Sequence, residues 1–339
     1  MPASRWKNRI VLALKVSLAV GILAFLIVQA QRNDSFSRLR DQPKDWGYLL
    51  LAGVCCLAGV ALTFVRWHLL VRALEIPFRL RDAFRLGFLA YLLNFVSLGS
   101  VGGDLFKALF VARERPTRRT EAVATVVIDR LFGLYALFLV ASAAIVITDV
   151  QHQVDNSVVR AICDATLVST AIGTVGIVVL LVPAISGRRL VARVESWPWI
   201  GPTLARLVGA VRMYQQKRPL LVLVTGMSLL VHVLFVLCFY FIALGLPGNA
   251  PTLAEHFLVI PLSMVAGALP VTPSGLGALE AAVEFFYQVA SPSSEVGVGN
   301  GMIAALCYRF ITVVIALIGA CYYLTCRREV AEVMHEAEA

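Results

Sequence analysis

Six apolar blocks, each long enough to cross a lipid bilayer, run at 10–30, 47–65, 122–148, 163–183, 219–244 and 301–325. A helix needs about 20 predominantly apolar residues to cross a hydrocarbon layer of ~30 Å. The longest polar stretch between blocks, 184–218, is about 35 residues, too short to fold alone. Composition agrees, with 59% hydrophobic and 15% charged residues where soluble domains carry about 25% charged, and a mean hydropathy of +0.80. The expected product is one all-α integral membrane domain over 1–339.

The net charge of +9 does not point to nucleic acid, because of where the charge lies. Of 30 Lys and Arg residues, 21 fall at 5–9, 66–85, 113–119, 188–218 and 327–328, beside apolar blocks. That is the positive-inside pattern of a multi-pass protein. It places the N- and C-termini in the cytoplasm, the protein in the cell (inner, cytoplasmic) membrane, and the basic loops against anionic headgroups. Of the seven cysteines, Cys55, Cys56, Cys163, Cys238, Cys307 and Cys321 sit in apolar segments without metal-site spacing. Neither a metal nor a cofactor is expected. Residues 5–30 have some features of a cleavable signal, but Lys15 interrupts the run, and a retained first helix is the better reading.

Two further apolar stretches are broken in the middle. Residues 84–112 read LGFLAYLLNFVSL, GSVGG, DLFKALFVA after Phe84-Arg85. Crossing as one helix would carry Arg113, Arg115, Arg118, Arg119 and the seven bases of 188–218 outside, so a re-entrant hairpin from the cytoplasm is expected. Gly99, Gly102 and Gly103 supply freedom for the reversal. Residues 255–290 repeat the pattern around VTPSG, where Pro270 and Pro273 stop a helix and Gly275 and Gly277 permit the turn. This second hairpin enters from outside. The expected architecture is about six full transmembrane helices plus two re-entrant helical hairpins. It forms an inverted repeat (47–148 and 219–325), with 10–30 as first helix and 163–183 as linking helix, a design recurrent in transporters.

Broken backbone inside a membrane must face protein or a wet cavity. Each hairpin then turns a half-helix N-terminus, with its positive partial charge, toward the interior near Gly103 or Gly277. Ionisable residues within spans cost about 2.5–3.5 kcal/mol each on insertion scales. They are Asp104, Lys107, Asp129, Arg130, Glu280, Glu284 and Arg309. Arg130, Arg309 and Lys107 suit a phosphate clamp oriented by the carboxylates, although the same charges could pair internally and staple the hairpins. Asp129 and Arg130, being adjacent, point about 100° apart and seek different partners. Glu280 and Glu284 share a helix face, where two close carboxylates would favour holding one proton. Asn94, Ser97, Thr272 and Ser274 could donate to a headgroup or close turns. His232 reads as a packed interior histidine.

The run NFVSLGSVGGDLFKALFVAR with VVIDRLFGL, and PVTPSGLGALEAA with YRFITVVIALIG, resembles the transmembrane flippase domain of lysylphosphatidylglycerol synthases and its stand-alone relatives. The resemblance covers roughly 45–325. It implies a fold that moves a lipid with a charged headgroup between leaflets, and site positions at Gly103, Asp104, Asp129, Arg130, Pro270, Gly275, Gly277, Glu280 and Arg309. Gly102 and Lys107 join them from the residue reading. The synthases carry a soluble aminoacyl-transferase domain after the membrane part. Nothing here matches it, so synthesis of an aminoacylated lipid is not expected.

The leading functional reading is a lipid flippase or translocase of lipid-linked material, not an enzyme, acting on a membrane lipid with a phosphate-bearing headgroup. A second copy of the chain or a lipid-modifying enzyme is the protein partner such a translocase would take. The alternatives are an intramembrane enzyme on polyprenyl or phospholipid phosphates and a non-transporting envelope scaffold. A rhomboid-like protease is excluded, since only His335 follows Ser274 and it lies in the tail.

Overall fold

The computed structural model describes residues 28, 41–96, 102–114, 119–181, 209, 212–268, 276–289 and 297–325. Apart from Val28, the expected first helix 10–30 lies outside them, as do Ser97, Pro270, Thr272, Ser274 and Gly275. The described residues form ten helices: α1 Trp46–Ala73, α2 Leu80–Val96, α3 Gly102–Glu114, α4 Arg119–Thr148, α5 Val150–Gln153, α6 Ser157–Leu181, α7 Arg218–Gly245, α8 Leu253–Ala268, α9 Ala278–Val289 and α10 Asn300–Thr325. Five of them, α1, α4, α6, α7 and α10, are long and apolar enough to cross a membrane. They coincide with five of the six expected blocks.

The centre of the bundle is the antiparallel pair α1 and α7. Asp45 caps α1 by accepting from the amides of Gly47 and Tyr48 at 2.9 and 3.3 Å, and its own N–H donates to Gly245 O at 3.1 Å, joining the start of α1 to the end of α7. From there the contacts descend in register: Tyr48 stacks on Phe241, Gly59 lies against Phe235, and Arg66 reaches Ser228. At 28 residues each, the two helices are about 42 Å long, more than the hydrocarbon layer needs.

α1 corrects one boundary. The expected span ended at 65 because Arg66 was counted as the first cytoplasmic charge. The helix instead continues to Ala73, and Arg66 is buried within it at 5% exposure. A base is tolerated there because an acid from α4 meets it.

α2, α3, α8 and α9 are 17, 13, 16 and 12 residues, each below the roughly 20 that a crossing requires. They pack in pairs, α2 with α3 and α8 with α9. In the second pair Gly267 lies against Leu279, while His256 Nε2 and Tyr287 Oη are 2.9 Å apart, so the helices run antiparallel. Packing between the halves is reciprocal. α2 of the first half packs on α10 of the second, and α8 of the second packs on α4 of the first. The α2–α10 contact is close enough that a Cβ at Gly319 would stand 2.3 Å from Phe88 O. α6 leans on α4 through hydroxyl pairs, Ser142–Thr170 at 2.6 Å and Tyr135–Thr174 at 2.8 Å. Its other face exposes Val168, Ile172 and Val175, as lipid contact requires.

Candidate functional site

A cavity of about 380 Å³ opens between α1, α2, α3, α4 and α7, with Ala268 of α8 on its wall. Its polar lining includes Arg66, Asn94, Asp104, Lys107, Asp129 and Arg130. Phe64, Leu134, Leu137, Val231 and Phe235 also line it, so one pocket offers both charged and apolar side chains. Among the described lining residues three bases face two acids, a formal excess of one positive charge.

The pairing among the charged residues is specific. Arg130 Nε donates to Asp104 Oδ2, and the Arg130 side chain is 52% exposed. Lys107 Nζ is 4.0 Å from Asp104 Oδ1, one turn along α3, and 5.1 Å from the centre of the Trp67 ring. Trp67 is held in turn by its Nε1–H donating to Thr125 Oγ1 at 3.3 Å. Asp129 turns the other way. Its Oδ1 accepts from Arg66 Nε at 2.8 Å and its backbone carbonyl from Arg66 Nη2 at 3.1 Å. Arg66 Nη1 donates to Ser228 Oγ at 2.7 Å. The adjacent Asp129 and Arg130 therefore answer to different partners, as their angular separation on a helix demands.

The start of α3 is shaped by contact more than by turning. Gly103 and Gly102 are helical, and a Cβ at Gly103 would stand 2.0 Å from Ala90 O of α2. The glycine allows the close approach of two helices, which corrects the expectation that it serves the reversal itself. The Gly103 amide donates to Asn94 Oδ1 at 3.0 Å, so Asn94 caps this helix start.

The second half holds a parallel cluster. Glu280 is fully buried (0% exposed); its Oε1 accepts from Arg309 Nε at 3.0 Å, with Arg309 Nη2 2.9 Å away, and its Oε2 accepts from the Gly277 amide at 2.8 Å. Gly277 has φ +82°, a conformation that favours glycine, so here the turn expectation fits. The helix-start amide is thus occupied by the helix's own carboxylate. Arg309 is only 16% exposed, and neither Glu280 nor Arg309 lines the cavity, although Tyr91, which does, is within electrostatic reach of Arg309.

Glu284 has a separate task. Its carboxylate accepts from Gly299 N at 2.7 Å and Met302 N at 2.9 Å, capping α10. Each of Glu280 and Glu284 is engaged by its own donors, so the shared-proton expectation loses its geometric basis. His232 proves to line the cavity as well as to pack: Nε2 is 2.9 Å from Gly133 O, and since a carbonyl only accepts, Nε2 carries the proton. Arg66 is the charged cavity residue that sequence reasoning missed, because a span was taken to end at its first base.

Among the described residues no group of His, Cys, Asp and Glu is placed to hold a metal ion.

Comparison with known proteins follows the same outline. The family described as "Lysylphosphatidylglycerol synthase TM region" matches residues 10–319. The chain is also similar to a "UPF0104 membrane protein" of Methanothermobacter thermautotrophicus, 24% identical over 314 residues, covering 87% of this chain and 90% of that one.

Proposed function

We propose a lipid translocase: the chain belongs to the lysylphosphatidylglycerol synthase TM region family, and the cationic cavity is where the headgroup of a phosphate-bearing lipid sits while it changes leaflets. The observation that carries this reading is the half-exposed Arg130 guanidinium lining a pocket that has one excess positive charge among its described residues and is lined by apolar side chains as well. A planar guanidinium offers a fork of donors to a phosphate, Lys107 adds a second charge, and Asn94 a polar neighbour. The apolar lining suits the first methylenes of the chains. Asp104 and Asp129 set the charge and orient the bases; we read them as structural acids and not as nucleophiles, hence a non-enzymatic protein.

The short helical pairs α2–α3 and α8–α9 support re-entrant hairpins, because neither partner can cross alone and each pair packs against long helices of the opposite half. The reciprocal contacts of α2 with α10 and α8 with α4 support the inverted repeat over 47–148 and 219–325. In this reading both termini lie in the cytoplasm of a cell-membrane protein. Cysteine labelling checks the topology: 113–119 and 188–218 react from the cytoplasm and 291–300 from outside. Reaction of 113–119 from outside removes the first hairpin and the repeat.

The function itself is tested by a leaflet-resolved assay in proteoliposomes, using a panel of fluorescent lipids that differ in headgroup. The expected result is protein-dependent exchange of phosphate-bearing lipids. Exchange no faster than in empty vesicles across the panel contradicts a translocase.

A further inference from the structure

Arg66 is fully engaged inside the bundle. It is 5% exposed and joins three helices: it sits on α1, donates twice to Asp129 of α4, through side chain and backbone, and donates once to Ser228 of α7. Room for it is kept by Gly133, one turn beyond Asp129, where a Cβ would stand 3.3 Å from Nη2 and 3.4 Å from Nη1. All three guanidinium nitrogens face protein acceptors at 3.1 Å or less, so a headgroup has nothing to gain from it directly. Its effect is on the sum of charges.

We infer that Arg66 is the residue that sets the charge selectivity of the cavity: by binding Asp129 it leaves Asp104, Lys107 and Arg130 with one unbalanced positive charge, and so makes the pocket select singly anionic headgroups over zwitterionic ones. Among the described residues, the charged groups facing the cavity are Arg66, Asp104, Lys107, Asp129 and Arg130, and His232 is the titratable imidazole there. Asp104 already has two basic neighbours, Arg130 through Nε and Lys107 at 4.0 Å. If Arg66 lost its charge, Asp129 would have only Lys107 as a nearby base, which Asp104 already shares, and the formal charge of the pocket would fall to zero. A charge held in a partly buried pocket acts through a low effective dielectric, so removing one shifts the preference between a charge of minus one and zero by roughly tenfold or more. This is a selectivity-setting role exercised through Asp129, without contact to the lipid. It rests on the reading that the cavity takes an anionic headgroup.

Binding isolates this from transport. Purified full-length protein in detergent is titrated with a fluorescent phosphatidylglycerol, which carries one negative charge, and with a fluorescent phosphatidylcholine, which is zwitterionic. The readout is the ratio of the two affinities. Arg66→Gln lowers the ratio roughly tenfold, Asp129→Asn raises it, and Arg66→Gln/Asp129→Asn, which removes both charges, returns it to the wild-type value whatever the absolute affinities become. Gly133→Ala, which pushes on the guanidinium without changing any charge, gives a smaller fall.

A residue that merely held helices together would weaken both lipids alike and leave the ratio fixed in every variant; that result overturns the inference. A ratio that falls in Arg66→Gln and stays low in the double variant also overturns it, since Arg66 would then be touching the headgroup. If Arg66→Gln does not fold, the remaining comparison still decides: Asp129→Asn must exceed the double variant, and equality sinks the proposal. Wild-type protein that binds neither probe contradicts this inference together with the translocase. Protein that shows the expected order of ratios but moves no lipid contradicts the translocase alone.

Discussion

The two halves of the molecule build the same device and leave it in different conditions. In each, a short helix carries a carboxylate near its start, Asp104 in α3 and Glu280 in α9, and an arginine from the middle of the next long helix grips it, Arg130 from α4 and Arg309 from α10. In the second half the carboxylate is closed on both sides, with Arg309 on one oxygen and the Gly277 amide on the other. In the first, a side-chain amide from α2 takes the helix-start N–H, and Arg130 stands at an open cavity beside a second base. The difference teaches that one ion-pair motif can be closed on itself or left facing a cavity. What decides is whether the helix caps itself and whether the arginine keeps a face outward.

The glycines separate the halves by backbone contact. Gly103→Val should prevent accumulation of folded protein, because its Cβ meets a backbone oxygen that cannot turn aside, a cost of about 3 kcal/mol or more. Gly277→Ala meets strained backbone, worth about 1–2 kcal/mol, and should fold with a lowered melting temperature in detergent. If Gly103→Val folds normally, close approach of α2 and α3 is not what that position supplies.

The carboxylates come next. Glu280→Gln leaves Arg309 buried without its counter-charge and should destabilise by about 3–5 kcal/mol. Asp104→Asn faces an arginine that is half exposed, although Asp104 itself is buried beside Lys107, and should cost less than Glu280→Gln, about 1–3 kcal/mol. Equal losses in thermal unfolding would erase the distinction between staple and surface.

A smaller effect is expected at Glu284. Because it caps α10 through two amides, Glu284→Gln should cost about 1–2 kcal/mol and leave lipid exchange per folded molecule, and its pH profile, as in wild type. A pH profile displaced by that change would restore a proton-handling role for the glutamate pair. Asn94→Ala should cost near 1 kcal/mol from the lost cap of α3.

The spans were legible because long apolar blocks have few other destinations, and the ionisable residues stood out against them. The end of α1 was hidden by the rule that made the rest visible. A span was taken to stop at its first base, and nothing local announces that Arg66 is neutralised by an acid 63 residues away. Gly103 was found for the wrong reason, since a Gly-rich break looks the same whether it frees a turn or admits a neighbouring helix. Asp104, Lys107, Asp129 and Arg130 were legible as a group, yet which acid meets which base depends on helix rotation, and a single sequence carries no signal for that. Likewise, Glu280 and Glu284 share a face in the sequence, but their amide partners belong to the path of the chain around Gly277 and Gly299.

The central claim, that Arg130 is a binding guanidinium and Arg309 a closed staple, meets its most direct test in lipid exchange per folded molecule for Arg130→Lys and Arg309→Lys. Lysine keeps the charge and any simple ion pair while losing the fork. Arg130→Lys should express and fold near wild-type levels with exchange reduced roughly tenfold, the difference of about 1.4 kcal/mol that a lost charge-assisted bond supplies. Arg309→Lys should lose stability first and keep most of its exchange per folded molecule. Near-normal exchange by Arg130→Lys, or a loss in Arg309→Lys as deep as in Arg130→Lys, would contradict the assignment.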